Sequence, residues 1–175
     1  MHRIVLILII AAAVCLLTAC GEGTTSSNEP SLNANEQPAW LLMNAPTNPS
    51  GIGEVKKTVK AGEKVVLRGI IGGRVDAMSS DSALFVLMDT GLENDCISEG
   101  DHCATPWDYC CASPELLTAN NATVQLVDES GAPIMIDLRT KGISPLDTVI
   151  IAGVVGPRPT GDVLMVKATS IYKAP

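Results

Sequence analysis

The chain has 175 residues, a formal net charge of −7 and a pI near 4.7, with 46% hydrophobic and 3% aromatic residues. That length leaves room for one domain with one core behind a leader. The acidic balance and the few aromatics argue against a charge-steered nucleic-acid binder. The charge is also unevenly placed: between Arg74 and Arg139 there is no lysine or arginine, and that stretch carries twelve carboxylates, four of the six cysteines and His102.

His2 and Arg3 open the chain, and Ile4–Leu17 is almost wholly apolar. Such a core is short for a membrane span and no stop-transfer charge follows it, so residues 1–19 read as a signal peptide. The core ends Leu17-Thr18-Ala19-Cys20, which resembles the lipobox of bacterial lipoproteins. The resemblance implies Cys20 as the lipid-attachment residue and as the N-terminus after cleavage. Ordinary secretion with cleavage near Ala19 and an uncleaved anchor are the alternatives. Acyl chains anchor at about 0.8 kcal/mol per buried methylene, so a multiply acylated terminus stays on the membrane. Gly21 follows the cysteine in place of aspartate, which by the same resemblance favours the outer membrane. The expected location is therefore the cell envelope, facing the periplasm or the exterior. With Arg3 removed, 19 acids face 11 bases and the net charge is near −8.

Residues 20–50 are rich in Ser, Thr, Asn, Pro and Glu and read as a flexible tether. Trp40-Leu41-Leu42-Met43 interrupts it and is expected to dock on the domain; a contact for an envelope protein partner is the other reading. Residues 51–175 make the folded domain. Short β-branched runs predict strands at Lys64–Ile71, Ala83–Asp89, Ala122–Val127, Pro133–Leu138, Thr148–Val155 and Val163–Tyr172. In the first, Val65, Leu67 and Ile71 alternate with Lys64 and Arg68, a half-buried pattern. Asp128-Glu129-Ser130-Gly131 predicts a hairpin turn, and Pro157, Pro159 and Gly161 another turn. Helix is expected only at Pro114–Ala119, with Ser113 as N-cap. No repeat period is visible.

The order and spacing of these runs resemble an OB-fold, so the fold class is all-β: a small Greek-key barrel with a Cys-rich insertion loop at residues 90–121. Gly69 and Gly153 would let the first and fourth barrel strands bend across both sheets. Lys64–Arg74, the string Pro106-Trp107-Asp108-Tyr109-Cys110-Cys111 and the closing Ala168-Thr169-Ser170-Ile171-Tyr172 resemble a group of uncharacterised OB-fold proteins of planctomycete-type bacteria. Some of those carry a nucleic-acid-binding label from fold alone. The resemblance implies a fold and a family, and it brings no catalytic residue.

The loop cysteines are spaced Cys96-x6-Cys103-x6-Cys110-Cys111. A loop this long inside one domain is functional or needs stapling. Outside the cytoplasm an even cysteine count reads first as disulfides. A vicinal Cys110–Cys111 bridge is strained, which leaves Cys96–Cys110 with Cys103–Cys111, or Cys96–Cys111 with Cys103–Cys110. Each would stabilise by about 3 kcal/mol on the chain-entropy model. The alternative is a metal site. Four thiolates suit zinc, copper(I) or iron, with His102, Asp101 and Asp108 in support. A redox-active pair is a third option, disfavoured because carboxylate neighbours raise a thiol pKa.

Catalytic signatures are missing from the sequence. His102 is the one histidine outside the leader, and no Gly-x-Ser-x-Gly elbow or phosphate-binding Gly-x4-Gly-Lys-Ser/Thr run is present. Gly72-Gly73 and Gly51-Ile52-Gly53 therefore read as structural glycines, and Trp107 and Tyr109 as the packing centre of the loop. The expectation is a non-enzymatic, lipid-anchored binding or scaffold module without a cofactor. The alternatives are metal binding through the Cys96–Cys111 loop and, against the charge, nucleic-acid binding.

Overall fold

Alternation along Lys64–Ile71 sets the first strand. In the computed structural model, which describes residues 37–98 and 103–175, Val65, Leu67 and Ile71 are buried while Lys64 and Arg68 are exposed. This strand, β1 (Lys64–Ile71), is followed by β2 (Leu84–Asp89), β3 (Asn121–Leu126), β4 (Thr148–Val155) and β5 (Met165–Lys173). β1 pairs antiparallel with β2 through Gly69–Ile71 and with β4 along Lys64–Ile70. β2–β3 and β4–β5 are antiparallel, and β3 runs parallel to β5. The sheet closes in the order β1-β2-β3-β5-β4. A first strand shared between two partners and a parallel third–fifth contact are the OB-type Greek-key barrel, as the sequence predicts.

Two glycines let the strands coil. A Cβ on Gly153 would lie 2.3 Å from the Lys167 carbonyl oxygen, at the register shift between β4 and β5. On Gly69 it would lie 2.8 Å from the Met88 carbonyl oxygen. Only glycine allows backbones to pass so closely. Inside, Leu67, Phe85, Leu87, Leu126, Ile151 and Ile171 are at most 1% exposed. Each such side chain contributes about 1.5–3 kcal/mol relative to an exposed one.

Three expectations need correction. The run Pro133–Leu138 is not a strand. Pro133 makes an isolated bridge to Val127, Ile134 donates to the Leu126 carbonyl, and Leu138–Lys141 is already a 3₁₀ turn capped by Asp137. The alternation is real, since Ile134 and Ile136 pack on the core while Met135 is exposed. Pro133 has no N–H to extend a ladder, however, and Asp137 diverts the chain. Second, the tether does not reach Ser50. Gln37–Pro175 is one compact unit. Within it Leu42 N–H donates to the Ile171 carbonyl and Ile171 N–H to the Trp40 carbonyl, both at 2.8 Å, so the Trp40 segment docks along β5. Cys20 and the signal peptide lie outside the described residues.

Third, Ile52–Thr58 forms a helix, α1, that the sequence reading leaves unassigned. Gly51 supplies no capping side chain; Asp89, at the end of β2, accepts from Gly53 N–H at 2.7 Å instead. Lys56 on α1 is 5% exposed, and its ammonium donates to the Asn121 carbonyl and side-chain oxygens at 2.9 and 3.0 Å and to the Thr118 carbonyl. Burial holds this ammonium below its ordinary value, opposed by Asp162 and aided by Arg158. Of Lys56, Lys57, Lys60 and Lys64, which lie close together in the chain up to the start of β1, one is thus taken into the interior.

Candidate metal centre

The cysteine loop leaves β2 at Asp89 and returns into β3 at Asn121. A four-residue helix, α2 (Asp95–Ser98), begins it and buries Cys96 to 2% exposure. Pro106–Asp108 then forms a 3₁₀ turn, and Asn94 Nδ2 donates to the Pro106 carbonyl at 2.8 Å, tying the two halves of the loop together. A helix, α3 (Pro114–Ala119), follows, with Ser113 accepting from Leu116 N–H as its expected N-cap.

The loop is fastened to the barrel at the Gly72-Gly73 pair. Gly73 N–H donates to the Trp107 carbonyl at 2.7 Å, and Trp107 Nε1 donates to the Val75 carbonyl at 2.9 Å. A Cβ on Gly72 would stand 2.5 Å from the Trp107 carbonyl oxygen, so the landing place requires glycine. Beneath it Tyr109 is 1% exposed, as expected of the packing centre of the loop.

Tyr109 also sets the turn that brings the paired cysteines inward. Its φ of 59° and ψ of 38° are left-handed, a conformation that costs a side-chain-bearing residue about 1–2 kcal/mol. Asp108 holds it: Oδ1 accepts from Cys110 N–H at 2.9 Å and Oδ2 from the Thr105 hydroxyl at 2.8 Å. Backbone held in such regions gathers at functional sites. The result is that Cys110 and Cys111, adjacent in sequence, reach the same point.

There the four sulfurs meet. The Sγ atoms of Cys96, Cys103, Cys110 and Cys111 all lie within 4.8 Å of one another. Cys96 is 3.3 Å from Cys110 and 3.7 Å from Cys111; Cys110 is 3.6 Å from Cys103 and 4.0 Å from Cys111. Zinc bound tetrahedrally at about 2.3 Å from each sulfur sets its ligands about 3.8 Å apart, in the middle of this spread. A disulfide needs about 2.05 Å. The four sulfurs converge on one point, and Cys96–Cys110, Cys96–Cys111 and Cys103–Cys110 stand at contact distance rather than at bond length. Two separate bridges would sort the sulfurs into pairs, whereas here Cys96 contacts both Cys110 and Cys111, and Cys110 contacts Cys96, Cys103 and its neighbour Cys111.

Protonation follows the geometry. Burial opposes ionisation of Cys96, but the Cys111 N–H and the thiols of Cys110, Cys111 and Cys103 hydrogen-bond its sulfur and hold it below the usual thiol value. Those bonds drive Cys110 far above the thiol range, Cys96 first and Cys103 next, with Asp108 adding least. Cys111 is raised chiefly by Cys96. The thiols themselves, rather than the carboxylates of the loop, govern the shifts. Ionisation is eased at Cys96 and opposed at Cys110 and Cys111, and a thiophilic cation would displace the remaining protons.

Asp108 therefore supports the cluster through the Cys110 backbone. His102 and Asp101 lie outside the described residues. Tyr109 OH and Asn94 Oδ1 are buried without a well-formed hydrogen bond. Burial raises the Tyr109 phenol above its ordinary value, with Asn94 opposing and Cys96 adding to the rise. The supporting roles of Gly72 and Asn94 escape sequence reasoning; a double glycine just after a strand is the one local signal for the first.

No protein-family model and no curated protein matches the chain. A solved structure described as the hypothetical protein YgiW from E. coli is similar at 20% identity, covering 74% of this chain and 95% of that one, with a TM-score of 0.38. The OB-type assignment rests on the strand pairing itself.

Proposed function

We propose that this is a lipid-anchored envelope protein whose barrel carries a four-thiolate metal site, and that it binds or handles a thiophilic ion without catalysing a reaction. One observation carries the reading: four Sγ atoms from two arms of a polar loop lie within 4.8 Å of one another. Thiolates select zinc, copper(I) or iron, and the sulfur spacing suits tetrahedral zinc. The barrel supplies the rigid base, through Gly73 and Val75. The anchor rests on Leu17-Thr18-Ala19-Cys20, and the family resemblance on Pro106–Cys111.

A disulfide-stapled binding module is the second reading, favoured by the 3.3 Å approach of Cys96 to Cys110 and by the oxidising compartment that the leader implies. Metal analysis and intact mass of protein extracted from the envelope under inert atmosphere separate the two. The metal reading expects one ion per chain and four alkylatable thiols after chelation. A metal-free chain lighter by four hydrogens, with no thiol to alkylate, supports the stapled module.

A further inference from the structure

We infer that the cluster is a redox-gated metal site: a small-molecule disulfide oxidises the four cysteines to two intramolecular disulfides, and the metal leaves. This rests on the metal reading above and adds how the site is controlled.

Access comes first. Cys110 and Cys111 are exposed and Cys103 is half-buried, while only Cys96 is covered. Here an attacking or attacked sulfur meets solvent. Thiol–disulfide exchange requires that access.

Proximity comes second. Cys96–Cys110 at 3.3 Å, Cys96–Cys111 at 3.7 Å and Cys103–Cys110 at 3.6 Å are all non-vicinal contacts. Closing any of them to about 2.05 Å asks for side-chain movement of the order of 1–2 Å. Neither non-vicinal pairing needs the strained Cys110–Cys111 bridge.

Third, the loop is held without the metal. Trp107 Nε1 to Val75, Gly73 N–H to Trp107 and Asn94 Nδ2 to Pro106 fix its two arms by groups that do not touch an ion. The sulfurs therefore stay together after the metal departs, and the change is reversible.

The chemistry balances. An exposed cysteine thiolate attacks one sulfur of the disulfide RSSR and expels RS⁻, giving a mixed disulfide. A second cysteine thiolate attacks the protein sulfur of that bond, closes the intramolecular disulfide and expels the second RS⁻. Two such rounds take four electrons from the cysteine sulfurs and reduce two RSSR. The four RS⁻ take up four protons, and a divalent zinc ion is set free from its four thiolates.

The test uses the full processed protein in detergent, reduced and loaded with zinc. Zinc content is measured first; a reduced protein that takes up no zinc overturns the metal reading and this inference with it. Oxidised glutathione is then added with a chromogenic zinc chelator. Expected are release of all the bound zinc, a mass lower by four hydrogens than the metal-free thiol form, and bridges that pair Cys96 with Cys110 or Cys111. Far-ultraviolet circular dichroism stays that of the barrel, and dithiothreitol restores zinc uptake. Retention of zinc, stable glutathione adducts, a Cys110–Cys111 bridge or chain-to-chain crosslinks would overturn the inference while leaving zinc binding intact.

Discussion

Cys96 Sγ lies 3.3 Å from Cys110 Sγ, although one residue is buried at the start of a short helix and the other is exposed fourteen positions later. The contact is made by two devices. The Asn94–Pro106 hydrogen bond closes the loop, and the left-handed Tyr109 turns the second arm inward. A polar loop of this kind has little apolar area with which to offset the entropy of ordering, so the convergence of its four sulfurs is the feature that asks for a cross-link.

The landing place on the barrel is open to a direct test. Gly72→Ala would put a methyl group 2.5 Å from the Trp107 carbonyl oxygen. The loop must lift, because the obstruction is backbone. Zinc affinity, read by chelator competition, is expected to fall roughly tenfold, the scale of lost second-shell support. Thermal unfolding of the barrel moves little. Unchanged affinity would show that the Gly72–Trp107 contact does not position the cluster.

Lys56→Met is expected to destabilise the domain by about 1–3 kcal/mol, since it leaves the Asn121 and Thr118 carbonyls without their buried donor. The pH dependence has a definite sign. Burial lowers the folded-state value below 10.5, so the unfolded chain binds more protons across the window beneath it. Stability from this group is complete above the unfolded value and is lost as pH falls through the folded one. The gap between wild type and variant should therefore widen as pH rises from neutral toward 10.5 in urea titrations. A gap that narrows over that range would contradict the assignment.

Cys20→Ala should move the protein from the detergent phase to the aqueous phase in cloud-point partitioning, and remove the mass of the acyl chains. Wild-type protein that already partitions as a soluble chain would remove the anchor from the account.

Nucleic-acid affinity should be absent at a useful level. OB-type domains that hold single strands line a groove with basic residues and stacking aromatics. Here Lys56 is buried, and the stretch between Arg74 and Arg139 has no base. Fluorescence anisotropy with single-stranded DNA at ~0.15 M salt should show no micromolar complex; a salt-dependent one would contradict the charge argument.

The barrel was legible because its cues are local. Alternation in Val65–Ile71 and the glycines at positions 69 and 153 carry the strands and their coiling. The Asp128–Gly131 turn forms with Gly131 N–H on the Asp128 carbonyl. What was missed depends on contacts between distant residues. α1 is capped by Asp89, thirty-six positions from Gly53. The run at Pro133 has the right alternation but no partner ladder. At the site, the four cysteines and their shared loop were legible, but not how their sulfurs meet, of which compartment and even count say nothing. Their convergence depends on the Tyr109 turn and the Gly72–Trp107 contact, neither of which has a spacing signature.

Native mass spectrometry of the reduced full chain, titrated with zinc beside a variant with Cys96, Cys103, Cys110 and Cys111 all changed to serine, tests the central claim most directly. The account predicts a single tight zinc adduct on the wild type, accompanied by loss of thiol protons, and none on the variant. It predicts that Cys96→Ser alone weakens zinc by about 100-fold, a quarter of the binding energy typical of a four-thiolate site. A reduced wild type that takes up no zinc, or takes it up as weakly as the serine variant, would contradict it.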